Sequence, residues 1–149
     1  MTQFRSAITS GLLLGLLGLG ACASAPTSTT STSTLTTGRL AGNHEVPSTK
    51  STGSGDVSAT LNRQTNVLTW RVSYAGLTGP VTGAHFHGPA PWAQNAGVAL
   101  PFSGSLASPI TGSATLSPAQ ASDFLAGRWY VNLHTAAYPG GEIRTQLAF

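Results

Sequence analysis

The chain has 149 residues, seven basic and four acidic side chains, a formal charge of +3 and one cysteine. Charged residues make up only 7% of it and the basic ones are scattered, which argues against a nucleic-acid-binding stripe. A single cysteine allows no intrachain disulfide, so packing or a metal has to hold the fold together.

The chain opens with Arg5, an apolar run Gly11–Leu19, and Leu19-Gly20-Ala21 just ahead of Cys22. This pattern resembles a bacterial lipobox, in which the cysteine thiol is acylated and becomes the new N-terminus. The apolar stretch from Ala7 to Cys22 is short of the ~20 residues that a transmembrane helix needs. Residues 1–21 are therefore expected to be a lipoprotein signal peptide, with Cys22 as the lipidation site and the membrane as a partner through that lipid. Stable anchoring takes more than one acyl chain, which a triacylated cysteine supplies. Ser24 does not look like an inner-membrane retention signal, so the expected location is the cell envelope, at the outer membrane or cell surface. Residues 22–37 are mostly Ser, Thr, Ala and Pro and read as a flexible tether. Residues 38–149 then form one domain.

Period-two alternation dominates that domain. A first strand is expected over 38–46. Val57, Ala59 and Leu61 share a strand face, and the turn Arg63-Gln64-Thr65-Asn66 leads to Leu68, Trp70, Val72 and Tyr74 on the next. Further strands are expected over 81–87, 98–102, 110–116, 129–134 and 143–149. Ser117-Pro118-Ala119-Gln120 carries a helix start, with an N-cap serine, proline at the first helical position and a Gln placed for a capping box. Gly127 is positioned to end that helix. The fold class is all-β: an antiparallel β-sandwich with one short helix.

Alternation puts His85 and His87 on one strand face, opposite Ala84 and Phe86. Tyr130, Asn132 and His134 likewise oppose Trp129, Val131 and Leu133. Two imidazoles two residues apart can converge on one ion, and imidazole suits Cu, Zn, Ni or Fe. His134 would complete a three-nitrogen set, and Glu142 would orient one ring through a hydrogen bond. The alternative is a satisfied polar cluster in which these histidines, Asn132, Glu142 and Arg144 pin loops. In the Pro-rich loop 89–97, Trp92 is a candidate contact residue for a partner. No nucleophile elbow, carboxylate pair or phosphate-cradling loop supports hydrolysis or phosphate chemistry.

Three segments, in order, resemble the CHRD domain, a family named after the extracellular protein chordin. They are Leu40–Pro47, Ala84–Ala90, and Tyr130–Thr135 followed by Pro139–Arg144. The resemblance spans 39–147. It implies an immunoglobulin-like β-barrel with some similarity to copper/zinc superoxide dismutases. Carried over, it makes His85, His87 and His134 copper ligands and Arg144 an anion-guiding residue. The bridging histidine, zinc cluster and disulfide of those enzymes have no counterpart here, and His44 is not assigned as a ligand. The expected function is an envelope-anchored binding or interaction module for an extracytoplasmic protein or small ligand, holding a metal ion at the three histidines. The alternative is a copper-dependent, superoxide dismutase-like oxidoreductase.

Overall fold

The computed structural model describes residues 31–149; the expected signal peptide (1–21), Cys22 and the first part of the segment read as tether lie outside the described residues. The elements are β1 (Ser33–Ala41), a 3-10 turn (Gly42–His44), β2 (Ser54–Asn62), β3 (Val67–Ala75), β4 (Val81–His87), β5 (Val98–Pro101), β6 (Ile110–Thr115), α1 (Pro118–Leu125), β7 (Tyr130–Thr135) and β8 (Ile143–Gln146). All strands pair antiparallel in one sheet of order β5-β4-β7-β8-β1-β2-β3-β6. Between β8 and β1 the ladder narrows to one pair, Ala41 with Arg144. The sheet curls at this seam, so its two four-stranded halves face each other across a single core.

The alternation explains that core. Val57, Ala59 and Leu61 of β2, and Leu68, Trp70 and Val72 of β3, are all buried, while Tyr74 is half-buried near the strand end. From the other half, Ala84, Phe86, Val131, Leu133 and Ile143 meet them. Trp70 joins the halves: its ring stacks on Phe102 (4.9 Å between centroids) and meets Phe86 edge-on at 5.5 Å. Each such side chain contributes about 1.5–3 kcal/mol by leaving water. Helix α1 starts as its sequence dictates. Ser117 Oγ accepts from Gln120 N and Gln120 Oε1 accepts from Ser117 N, closing the capping box, and Phe124 packs edge-on against Trp129. Among the described residues no helix is long and apolar enough to cross a membrane.

The bounds of β5, β6 and β7 differ from the sequence expectation by one residue, and three boundaries differ by more. Strand β1 begins at Ser33, inside the segment read as tether, and pairs with β2 from Ser33 opposite Asn62 onward. Its inward Thr36 is buried and donates to Ala148 O at 2.5 Å. Threonine is a good strand former, so a Ser/Thr-rich stretch that lacks large apolar side chains still extends an existing ladder. The strand ends at Ala41, not at 46, because the chain turns through the 3-10 segment. At the other end β8 stops at Gln146, although Leu147 N still donates to Trp129 O.

Candidate metal centre

The outer face of β7 and β8 is largely buried, as is His87 of β4, while His85 and His134 are half-buried. Segment 88–97 lies over it, and Tyr130, Asn132, Arg144 and Gln146 are all under 8% exposed. Several bonds strap the segment down. Arg144 donates to Gln94 O (2.8 Å) and Asn95 Oδ1 (2.9 Å), Ala96 N donates to the Tyr130 hydroxyl, and Asn95 Nδ2 donates to Val46 O. Sequence alternation identified this face as polar, but nothing in a local pattern shows that a loop folds over it.

The register brings the histidines together. His85 lies opposite Asn132, and His134 lies opposite Gly83, so the two rings are diagonal neighbours across the β4–β7 ladder. Gly83 leaves the space they occupy, since a Cβ there would come within 3.1 Å of His85 Cε1. One nitrogen from each of His85, His87 and His134 lies within 4.8 Å of the others. Zinc–imidazole bonds of about 2.0–2.1 Å set nitrogens in one shell roughly 3.3 Å apart, so a small contraction closes the set on one ion.

The donors are also prepared. His87 Nδ1 donates to Ala96 O at 3.0 Å, which leaves the lone pair on Nε2; that atom is buried and has no partner. His134 Nδ1 donates to Pro139 O at 2.9 Å, leaving its Nε2 3.1 Å from His85 Nδ1 and 3.0 Å from Asn132 Oδ1. The His87 Nε2 lone pair is thus free, and the His134 Nε2 lone pair faces His85 Nδ1, which donates to it in one tautomer and presents a further lone pair to a cation in the other. Burial, followed by the repulsion of the neighbouring rings, lowers the His85 pKa. Burial also lowers that of His87, against the opposing bond to Ala96. Both shifts favour the neutral imidazole that binds metal.

The residues expected around the cluster take different places. Asn132 touches His134 directly. Glu142 bonds no ring. It is fully buried and accepts from Ser51 Oγ (2.6 Å), Thr78 N and Oγ1 (2.9 and 2.7 Å) and Thr135 Oγ1 (2.5 Å). Burial works to raise its pKa, but those hydrogen bonds outweigh it and hold the carboxyl below its usual value. The orienting role expected of Glu142 is instead filled by the Ala96 and Pro139 carbonyls. Arg144 is 2% exposed, and its guanidinium lies 3.5 Å from the centre of the Tyr130 ring. Its bonds all run to the covering segment and its ring neighbour, so it is not an open guide for anions. The Tyr130 ring also stacks on His87, 4.8 Å between centroids and 3° from parallel. His44 faces away from the cluster, contacting Arg144 O and the edge of Trp92. Trp92 itself is 61% exposed.

Sequence reasoning passed over Tyr130 as a support and Glu45 as a buried group. The available signal was rarity: Glu45 and Glu142 are two of only four acidic residues, and both are more than nine-tenths buried. The CHRD domain family matches residues 36–147. No curated protein and no solved structure matches the chain.

Proposed function

The chain belongs to the CHRD domain family, and from that premise we propose a binding module whose His85, His87 and His134 hold one transition-metal ion, copper by preference. Cys22 lipid would anchor the module to the cell envelope. The observation that carries the metal reading is the buried, unpartnered His87 Nε2, in a group with His85 and with His134, whose far nitrogen is tied to Pro139 O. A three-imidazole set with neutral rings favours Cu(II) over Zn(II) or Ni(II) on intrinsic affinity. The ion would cross-link β4 to β7 beside the covering segment. The dismutase-like alternative depends on Arg144 drawing in an anion, and the burial of that guanidinium favours the binding module instead.

Thermal melts with and without Cu(II), Zn(II) and Ni(II) test the proposal. At a hundredfold excess over the dissociation constant, bound copper should stabilise the fold by ~2.7 kcal/mol. That gain should vanish in a His85→Ala/His87→Ala double variant and shrink on acidification as protons compete for the imidazoles. No shift with any of the three ions would leave the histidines as a structural polar cluster. Superoxide turnover by the copper-loaded protein would move the reading to the oxidoreductase.

A further inference from the structure

Glu45 follows the 3-10 turn and is 6% exposed, and its Oε1 is buried without a hydrogen-bond partner. A buried carboxylate oxygen left unpaired is costly, so its surroundings need a reason. The groups facing it are Arg144 on β8, which acts on it through charge, Asn132 on β7 and the Val46 backbone; together they lower its pKa by less than burial raises it. Arg144 does not close an ion pair with it, because the guanidinium is committed to Gln94, Asn95 and Tyr130. Gly141, at φ +128°, brings the β7–β8 loop against the carboxyl; a Cβ there would overlap Glu45 Oε1 and come within 2.6 Å of Asn132 Nδ2.

Glu45 also lines a cavity of about 230 Å³ between its own segment and that loop. Val46, Pro47, Ala137, Tyr138 and Pro139 give this cavity a largely apolar wall with one aromatic ring. We propose that it binds an aliphatic ammonium group, the cation resting on the Glu45 carboxylate and its carbon substituents on the apolar wall. A hard metal ion fits poorly, since calcium takes 6–8 oxygen ligands and no second acidic side chain lines the cavity. Tyr138, among the lining residues, carries an aromatic ring of the kind that attracts organic cations. Burial raises the Glu45 pKa to about 7, so the carboxyl is mostly ionised at pH 8, where an alkylammonium is still charged. The cavity shares Pro139 with the metal centre but does not depend on it, and the ammonium reading stands or falls without copper.

The test is a titration of the full chain, metal-free and at pH 8, with n-butylammonium chloride, followed by backbone amide NMR. Saturable shifts are expected at Thr49, Gly140 and Gly141, with none from 1-butanol or from potassium chloride at equal ionic strength. Glu45→Gln should weaken binding at least tenfold. Ala137→Trp, at an exposed position on the rim, should block it while leaving the melting temperature in place, and it decides the matter if Glu45→Gln fails to fold. Absence of saturable shifts, equal shifts with butanol or potassium, or undiminished binding in Ala137→Trp would overturn the proposal. Copper melts on the same samples report separately on the histidines.

Discussion

Glu45 and the histidine pair respond to pH in opposite directions, and this is measurable in single residues. His85 and His87 have lowered folded-state values, so on acidification below about pH 6.5 the unfolded chain takes up protons that the folded one resists. Their effect is a loss of stability as pH falls. Glu45 has a raised value, about 7 against 4.5. Its contribution is full below about pH 4.5 and is lost as pH rises through about 7. Glu45→Gln removes that dependence. In urea denaturation the variant should therefore gain on wild type between pH 5 and pH 8, by an amount on the order of 2–3 kcal/mol. Parallel curves for the two proteins would mean that Glu45 is better solvated than its place beside Gly141 implies. The His85–His87 relation was legible, because strand alternation is local. Glu45 was not, because its burial comes from Gly141 and Asn132, nearly a hundred positions along the chain.

The elements divide the same way. Helix α1 was legible to the residue, since a capping box and N-terminal proline are short-range chemistry. Ser117→Ala should cost about 1 kcal/mol in chemical denaturation, and a change within error would mean that packing of Phe124 alone holds the helix. The strands were legible through their apolar faces. Strand β1 was misplaced at both ends because its polar Thr/Ser positions carry no burial signal, and its start depends on pairing with β2 and on Ala148. The seam gives a sharper test. One residue pair joins β8 to β1, so the two halves depend on side chains that cross the core, Trp70 foremost. Trp70→Ala should cost ~3–5 kcal/mol. In a small domain with total stability of about 5–15 kcal/mol this is a large share. A variant melting within a degree or two of wild type would show that the halves are held by the ladder and not by the core.

For the whole molecule, the sequence conveys the family and the all-β architecture better than the point where the fold begins, since β1 starts at Ser33, inside the segment read as tether. The motifs resembling CHRD covered 39–147 and the family matches 36–147. They indicated the architecture, while the covering of the histidine face by segment 88–97 had no counterpart in them. Their spacing also bears on anchoring. If Cys22 carries the lipid, ten residues, 23–32, separate it from the start of β1. Fully extended, they reach at most roughly 33–36 Å, so the domain would work close to the bilayer and not far out from it. Among the described residues, the core begins at Leu40 and the metal centre at His85. Anchoring and folding should then separate cleanly. Cys22→Ser should abolish fatty-acid labelling and move the protein from the membrane to the soluble fraction, with its melting temperature and copper response unchanged. Labelling that persists in the variant, or a mature chain that starts elsewhere than Cys22, would refute the anchor. A released variant that melts early would instead mean that the segment before β1 takes part in the fold.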